Sequence, residues 1–299
     1  MVNKPEWGRL IVCPTPIGNM KDVTLRTLEV LRRVQAIACE DIRMTRKLLS
    51  QYDIHKPLIN YRPHNRSRVT ERMIVSLREG NEIALVTDAG TPGIQDPGGE
   101  LVRILEEAGI SIEVLPGPTA LIPAAVLSGF CAYGFVFLGF LPRKRNERLT
   151  LLELYASRSL PVILYESPRR VLETLREIAS YFGNDREIFL CRELSKFYEE
   201  KVRMTVGDLV DELSRREDIK GEIVLVIRGV DNEPSRFLTL PEEELLYRLL
   251  ESGMRDKEIA TLLTGVLPAK KNTIKQFLHS ARSVDFTQEN CFNKNRPGR

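Results

Sequence analysis

The sequence lacks the residue patterns that mark several common kinds of site. Its five cysteines and three histidines are scattered, and no CxxC pair occurs, so the chain carries neither a zinc-binding nor a disulfide framework. The patterns GxGxxG, GxxxxGK[ST], GxSxG and HExxH are also missing, which disfavours the usual dinucleotide, phosphate and hydrolase sites. We therefore interpret the cysteines as buried, reduced thiols of a cytoplasmic protein.

One long segment lacks charge altogether. Residues 114–142 contain no charged side chain, and a stretch of this length is long enough to span a bilayer. Prolines and glycines interrupt the segment, however, so we predict a buried helix near 119–128, a turn, and a buried strand near 135–140. The apolar run at 10–13 is too short for a signal peptide. We expect a protein without a membrane association.

Charge of one sign is concentrated at the end of the chain. Residues 268–299 carry seven Lys or Arg and two acidic residues, a net charge of +5, whereas the whole chain carries +3. A basic tail indicates a polyanionic partner. A solvated C-terminus is the simpler explanation of this charge when it is taken alone.

Short apolar runs alternate with amphipathic stretches through most of the chain. This alternation predicts an α/β fold with a mainly parallel first sheet. Pro116-Gly117-Pro118 interrupts the pattern, which then resumes. We predict an N-terminal α/β domain over 1–116 and a second α/β domain over 117–232. The strands are expected at 9–13, 35–39, 57–61, 82–87, 110–115, 135–140, 161–166, 187–192 and 222–227.

The remaining segment, 233–299, predicts a small helical domain. Helical spacing occurs near 241–251, 256–264 and 270–280. The last two stretches are joined by a short turn and are typical of a helix-turn-helix, with lysines on the second helix. A structural three-helix cap remains an equal alternative.

Three loops rich in glycine and proline follow predicted strands of the first domain, at 14–22, 87–93 and 115–119. Ligands of open α/β sheets bind at the carboxyl ends of the strands. Glycine permits close approach of the backbone to a ligand, and proline stiffens the loop. Each loop alone is explained by a tight turn, but three after strands of one sheet indicate a shared crevice.

Eight ordered segments carry a more specific resemblance. They are VCPTPIGNMKDVTLRTLEVL, ACEDIRMTRKLL, ALVTDAGTPGIQDPG, VLPGPTA, FLGFLPRK, LYESPRR, CRELSKFYEE and KGEIVLVI. Together they resemble the ribosomal small subunit methyltransferase I family of the tetrapyrrole methylase superfamily, over about residues 9–280. The chain departs from the family pattern at Ile42, Arg66 and Gly93.

The resemblance implies a two-domain tetrapyrrole-methylase architecture and 2′-O-methylation of a cytidine ribose in the decoding region of small-subunit (16S) rRNA. It implies S-adenosylmethionine as cofactor, no metal, a homodimer, and rRNA or the 30S subunit as partner. The residues that it places at the cofactor are Gly90, Thr91, Pro92, Pro116, Gly117, Pro118, Thr119, Tyr165, Glu166, Glu193, Leu194, Gly221 and Glu222.

Methylation of a ribose hydroxyl requires a group that removes its proton. Asp22, at the end of the first loop, is our first candidate; as an alternative it caps the following helix. Glu40 and Asp41 are the second candidates, with pairing to Arg43 or Arg46 as the alternative.

Basic side chains near the crevice and on the tail are candidates for phosphate contact, and Tyr61 or His64 for base stacking. Taken singly, each basic side chain is better explained as a solvated surface charge, and only the set indicates phosphate contact. The basic candidates are Arg43, Arg46, Arg62, Arg66, Arg143, Lys144, Arg145, Arg169, Arg170, Lys270, Lys271 and Lys275.

Two other functions remain open at this point. One is a methyltransferase on the same fold that acts on a tetrapyrrole or another small molecule, because fold does not determine substrate. The other is a non-catalytic nucleic-acid-binding protein built on the helix-turn-helix. The basic tail favours RNA over a small-molecule substrate. The three loops argue against a non-catalytic protein.

Overall fold

The computed structural model describes residues 7–230, 240–264, 266–267 and 271–283. The chain divides into two compact units, Met1–Val230 and Asp231–Arg299. The first unit contains two five-stranded sheets, and the second contains helices.

The first sheet is parallel throughout, in the order β3-β2-β4-β1-β5. Its three central strands are short apolar runs that helices bury on both faces, as all-parallel sheets require, whereas the two edge strands are partly exposed. The predicted α/β class and the parallel first sheet are confirmed. The strands are β1 (Arg9–Val12), β2 (Ala36–Cys39), β3 (Leu58–Asn60), β4 (Ile83–Leu85) and β5 (Ser111–Val114).

Alternate residues of β1 feed two separate cores. Leu10 and Val12 pack on one face with side chains of α3 and α4, whereas Ile11 packs on the other face with α1. This alternation is the two-residue period of a strand. Because both sets of side chains are apolar, helices pack against both faces of the sheet. The helices are α1 (Leu25–Arg33), α2 (Ile42–Gln51), α3 (Arg66–Arg78) and α4 (Gly98–Glu107).

The second sheet is mixed, in the order β6-β7-β10-β8-β9. β6 and β7 are parallel, whereas β10 is antiparallel to both of its neighbours and β9 is antiparallel to β8. The sequence analysis did not predict β9. The elements are α5 (Leu121–Ser128), β6 (Val136–Phe140), α6 (Arg145–Ala156), β7 (Val162–Glu166), α7 (Val171–Phe182), β8 (Glu187–Arg192), β9 (Glu200–Thr205), α8 (Val206–Ser214) and β10 (Ile223–Ile227).

The charge-free segment forms the predicted helix and a strand of the second sheet, but the predicted burial is wrong for much of both, because Ile122 and Val126 of the helix are exposed and the strand is mostly half-buried. Ala124 and Ala125 of α5 pack with Ile163 and Val224 in one core cluster. Within the described residues, no helix combines the length and the apolar character needed to cross a membrane.

The second unit contains α9 (Leu240–Glu251), α10 (Asp256–Leu263) and α11 (Lys271–Ser283). Leu246, Ile259, Ile274 and Leu278 form its core, so the three helices pack around one another. Both predicted alternatives, the helix-turn-helix and the three-helix cap, are compatible with this packing. Lys271 and Lys275 are exposed on α11, and Lys270 lies outside the described residues.

Candidate active site

The three loops rich in glycine and proline lie side by side. They follow β1, β4 and β5, which are neighbours in the sheet, so their carboxyl ends meet at one edge. Thr15 and Gly90 exchange backbone hydrogen bonds of 2.9 and 3.0 Å. The hydroxyl of Thr91 donates to the carbonyl of Pro118 at 2.9 Å. The loops therefore form one bonded platform.

Glycine is required at the centre of this platform. Gly90 adopts a φ of +84°, a conformation that side chains with a Cβ disfavour. A Cβ placed there would lie 3.6 Å from Ile17 and 3.8 Å from the carbonyl of Pro118. Both distances are ordinary van der Waals contacts, so the constraint at Gly90 comes from its backbone conformation.

A cavity of about 380 Å³, which we name the central cavity, opens beside the platform. Its walls come from the first sheet's loops and from the ends of β6, β7 and β10. The lining residues are Ile17, Glu40, Thr87, Asp88, Ala89, Gly90, Thr91, Ile94, Gln95, Asp96, Thr119, Ala120, Phe140, Tyr165, Glu166, Ser167, Pro168, Gly221, Glu222, Ile223 and Val224.

Most of the residues that the resemblance placed at the cofactor lie around this cavity, but not all line it. Those that line it are Gly90, Thr91, Thr119, Tyr165, Glu166, Gly221 and Glu222. Gly117, Pro118 and Leu194 instead line a neighbouring groove, and Glu193 lines a smaller pocket beside Gly221. Pro92 is buried, and Pro116 is exposed; neither lines one of these openings.

The mixed second sheet brings three separate sequence segments together, two of which line the cavity. Ile223 pairs with Glu166 of β7 on one side and with Arg192 of β8 on the other. The backbone N–H of Glu193 donates to the carbonyl of Glu222 at 2.9 Å. The YES (165–167), REL (192–194) and KGE (220–222) segments are thus neighbours because of antiparallel register.

Two side chains of the YES segment have different environments. The Glu166 carboxylate is buried and accepts hydrogen bonds from the backbone of Ser167 and the hydroxyl of Thr174, both at 2.7 Å. It therefore secures the turn into α7. Burial raises the pKa of the Tyr165 hydroxyl, and a hydrogen bond with Thr119 opposes that shift.

Acidic side chains gather at one end of the central cavity. Glu40, Asp88 and Asp96 all line it, and each has a raised pKa that is caused first by burial. Repulsion from Asp88 and Asp96 adds to the shift at Glu40. This end of the cavity therefore favours a cation. Glu40 is a predicted site residue, whereas Asp88 and Asp96 are not, although Asp88 begins the DAGTP sequence of the second loop.

The three candidate bases occupy different settings. Asp41 is the N-cap of α2; it accepts from the backbone of Arg43 at 2.8 Å and pairs with the Arg43 and Arg62 side chains. These contacts lower the pKa of the Asp41 carboxyl. Its oxygens are therefore already engaged, as the pairing alternative predicted.

Asp22 does not cap α1, contrary to the alternative considered from the sequence. Thr24 is the N-cap, and its hydroxyl accepts from the backbone N–H of Thr27 at 3.1 Å. Asp22 ends a single 3-10 turn, Met20–Asp22, and its carboxylate accepts from the hydroxyl of Ser195 at 2.6 Å. The residues that follow the turn, rather than the turn itself, start the helix.

A second opening of about 820 Å³, which we name the side groove, contains Asp22. It shares Ile17 and Thr119 with the central cavity, so the two spaces adjoin. Its other lining residues are Thr24, Gly117, Pro118, Ile122, Pro123, Val126, Leu127, Leu194, Ser195, Glu199 and Lys201.

The basic candidates are a mixture of paired and unpaired side chains. Arg43 and Lys144 are exposed, but they pair with Asp41 and Glu147. Arg66 pairs with Glu100 at 2.6 Å. The set that is exposed at the surface is Arg43, Arg46, Arg143, Lys144, Arg145, Arg169, Lys271 and Lys275.

Two expectations about RNA contact conflict with the structure. Tyr61 is 2% exposed within the core of the first sheet, so it is not available to stack on a base. Arg170 donates to the carbonyls of Leu141 and Pro142, which ties it to the chain between β6 and α6. His64 is exposed. Among the described residues, no cluster of His, Cys, Asp and Glu could hold a metal ion.

Comparison with solved structures identifies the fold. A cobalt precorrin-4 methyltransferase of cobalamin biosynthesis is similar with a TM-score of 0.59 and 19% identity, covering 76% of this chain and 97% of that one. Uroporphyrin-III-C-methyltransferase from Thermus thermophilus is similar with a TM-score of 0.51 and 21% identity, covering 74% and 92%. The expected tetrapyrrole-methylase fold is thereby confirmed.

Sequence comparison is more specific. Residues 9–210 match the family model for Tetrapyrrole (Corrin/Porphyrin) Methylases. Proteins named ribosomal RNA small subunit methyltransferase I are similar in Bacillus subtilis (40% identity; 85% of this chain and 88% of that protein) and in Escherichia coli O157:H7 (39%; 90% and 94%). The Hydrogenobaculum relative is 46% identical over 73% of this chain and 95% of its own length. These matches do not favour a small-molecule substrate or a non-catalytic protein. The chain belongs to the tetrapyrrole methylase family, and within it to the ribosomal RNA small subunit methyltransferase I group.

Proposed function

We propose that this protein transfers a methyl group from S-adenosylmethionine to the ribose 2′-hydroxyl of a cytidine in the decoding region of small-subunit (16S) rRNA. The observation that carries the proposal is the 40% identity, over 85% of the chain, with a relative whose name specifies small-subunit ribosomal RNA. The two adjoining openings support it, because a methyl transfer needs a donor and an acceptor side by side.

The central cavity suits S-adenosylmethionine. Its volume of about 380 Å³ lies within the range of small-molecule sites, ~300–1,000 Å³. S-adenosylmethionine carries positive charge on its sulfonium and amino groups, and Glu40, Asp88 and Asp96 provide the acidic end that a cation favours. Gly90 leaves the platform free of a side chain where it borders the cavity.

When bound, the cofactor supplies an electrophilic methyl group whose bond to sulfur breaks as the bond to the ribose oxygen forms. The protein must align the acceptor oxygen with that group, since alignment alone lowers the activation barrier by several kcal/mol. It must also remove the hydroxyl proton. We assign proton removal to Asp22, because its carboxylate lines the side groove next to the central cavity and does not cap α1.

The proposal assigns different tasks to the two openings. The central cavity holds the methyl donor, and the side groove receives the target ribose against Ile17 and Thr119, the wall that both share. We propose that Arg143, Lys144, Arg169, Lys271 and Lys275 contact RNA phosphates, and that the protein acts as a cytoplasmic homodimer. The support for the last point is the family resemblance, and sedimentation velocity of the full chain tests it.

The test is methyl transfer from tritiated S-adenosylmethionine to 30S subunits, naked rRNA and a precorrin-type substrate, compared between the parent and Asp22→Asn. We expect labelled cytidine 2′-O-methyl in rRNA. Asp22→Asn should lose about 10²–10⁴-fold in rate, the usual contribution of a positioned base. Its melting temperature and cofactor affinity should stay unchanged. Label in the precorrin but not in RNA would contradict the proposed substrate; a rate within about threefold of the parent would remove Asp22 from the mechanism.

A further inference from the structure

The carboxylate of Asp22 has one side-chain hydrogen-bond partner in the described part of the chain. The hydroxyl of Ser195 donates to its Oδ2 at 2.6 Å across 173 positions of sequence. Both residues line the side groove. The second oxygen, Oδ1, accepts no hydrogen bond from the described residues, so it is available to a ligand.

The segment that carries Ser195 is strained. Ser195 has a φ of +67° and Glu193 a φ of +53°, which places two non-glycine residues within three positions in the left-handed region. Such conformations cost free energy and persist only where surrounding contacts hold them. Strained backbone conformations are concentrated at functional sites, so the conformation of this segment indicates a functional role.

Local hydrogen bonds maintain this conformation. The backbone N–H of Ser195 donates to the Glu199 carboxylate at 2.7 Å. The ammonium of Lys196 donates to Glu193 at 2.9 Å and to Glu222 at 3.0 Å. These contacts fix the backbone on both sides of the Ser195 hydroxyl.

The first loop is shaped to receive this segment. A Cβ at Gly18 would lie 2.5 Å from the Lys196 side chain and 3.0 Å from the carbonyl of Leu194. A glycine at this position therefore allows the two backbones to approach closely. That approach brings Ser195 within hydrogen-bond distance of Asp22, four residues after Gly18.

We propose that Ser195 is a positioning residue for methyl transfer. Its hydroxyl holds Oδ2 of Asp22, so that Oδ1 is left to accept the proton of the ribose 2′-hydroxyl. Asp22 lies at the end of an exposed three-residue turn, where a carboxylate without a partner would rotate between conformers. A base must stand within hydrogen-bond reach of the proton it removes, and fixed neighbours maintain that geometry. The inference rests on the proposed function, with Asp22 as the base.

The test compares Ser195→Ala, Ser195→Gly and Ser195→Asn in the full-length protein, with tritiated S-adenosylmethionine and 30S subunits. Alanine and glycine both remove the donor, but only glycine relieves the strained backbone. Asparagine keeps a donor and tolerates positive φ. Measured together, kcat, KM for the subunits, cofactor affinity by calorimetry and melting temperature separate positioning from structural support.

We expect alanine and glycine to lower kcat by a similar factor of about 10–100, the effect of losing a hydrogen bond to a charged group. KM and cofactor affinity should remain within about twofold of the parent. Ser195→Asn should restore most of the rate. Ser195→Ala should add nothing to Asp22→Asn, because the serine acts through the aspartate.

Other results would overturn the inference. The serine has only a structural role if the kcat values of the variants follow their melting temperatures. In that case Ser195→Gly, which relieves the strained backbone, would remain as active as the parent. Additive losses in the double variant, or full activity of Asp22→Asn, would show that Ser195 does not act through Asp22. A parent that transfers no methyl to RNA would refute the proposed function and this inference with it. An active parent with an unimpaired Ser195→Ala variant would refute this inference alone.

Discussion

Replacing Arg148 by methionine is expected to destabilise the protein strongly. The Arg148 side chain is 4% exposed, and its guanidinium donates to the Glu177 carboxylate at 2.5 and 2.8 Å. The side chain of Glu177 is only 10% exposed. Methionine would therefore leave a desolvated carboxylate whose remaining cation is the 70% exposed Arg145, at 3.5 Å, and breaking a buried pair in this way costs about 3–5 kcal/mol.

The contact with Glu173 adds little to this cost. Arg148 reaches Glu173 at 2.6 Å, but that carboxylate is 62% exposed, and exposed pairs contribute about 0–1 kcal/mol. Two further hydrogen bonds run from Arg148 to the carbonyls of Pro142 and Arg143, both at 3.3 Å. Removal of Arg148 would thus also release the segment that carries the RNA-contact candidate Arg143.

Thermal unfolding of the full chain measures the effect. At roughly 2–4 °C per kcal/mol, Arg148→Met should melt about 6–20 °C below the parent. Glu173→Gln is the matched control and should shift the melting temperature by no more than about 4 °C. Arg148→Met combined with Glu177→Leu should recover most of the stability, because a buried ion pair can be replaced by apolar side chains. An Arg148→Met protein that melts within about 2 °C of the parent would refute the reasoning.

Two further predictions concern ligands. Cofactor affinity should be greatest near neutral pH and should fall as the pH is lowered through the raised pKa values of Glu40, Asp88 and Asp96, since a protonated carboxyl no longer attracts a cation. Calorimetry at a series of pH values measures this affinity. The affinity of Asp88→Asn should depend less on pH than that of the parent. A parent affinity that does not change with pH would contradict the electrostatic argument. Replacing Lys271 and Lys275 by alanine should weaken 30S binding and make its logarithmic salt slope shallower by about 0.7–0.9 for each phosphate that the variant no longer neutralises. Lys257→Ala on α10 is the control, and equal affinities at two salt concentrations would place the RNA surface elsewhere.

The sequence predicted the architecture well where local patterns determine it. The parallel strands and their helices follow from short apolar runs and amphipathic spacing. β9 was missed because its sequence, EKVRMT, has only two apolar residues, Val202 and Met204, so its alternation is too short to predict a strand. Its pairing with β8 depends on tertiary contacts that its own sequence does not reveal. Glu200, at its start, is secured by Arg192 and Arg216, and the arginines lower the pKa of that carboxyl to about 2.

The site was predictable only in part, for a related reason. Gly90 and its neighbours stand in a recognisable loop, whereas the contact between Asp22 and Ser195 joins positions 173 residues apart. The positive φ of Ser195 has no sequence signal, because serine is not a residue that marks this conformation. Tyr61 illustrates the opposite error: an aromatic residue beside a basic segment suggested stacking, but the sheet buries it.

Strand order places the cavity residues of the first sheet, whereas strand register places those of the second. This difference explains which cavity residues could be predicted from the sequence. In the parallel first sheet, every loop after a strand reaches the same edge, so β1, β4 and β5 need only their order to bring Thr15 next to Gly90. In the mixed second sheet the loops after β6, β7 and β8 reach one edge and those after β9 and β10 reach the other, so the segment that precedes β10 meets the ends of its neighbours only through their register. Ile223 faces both Glu166 and Arg192, so the residues just before β10 meet those at the ends of β7 and β8. A shift of one residue along β10 would exchange the faces of its side chains and would move Gly221 and Glu222 away from this position. The apolar run of β10, buried along its whole length, resists such a shift through its packing with both neighbours. The core of the second sheet therefore positions the cavity wall.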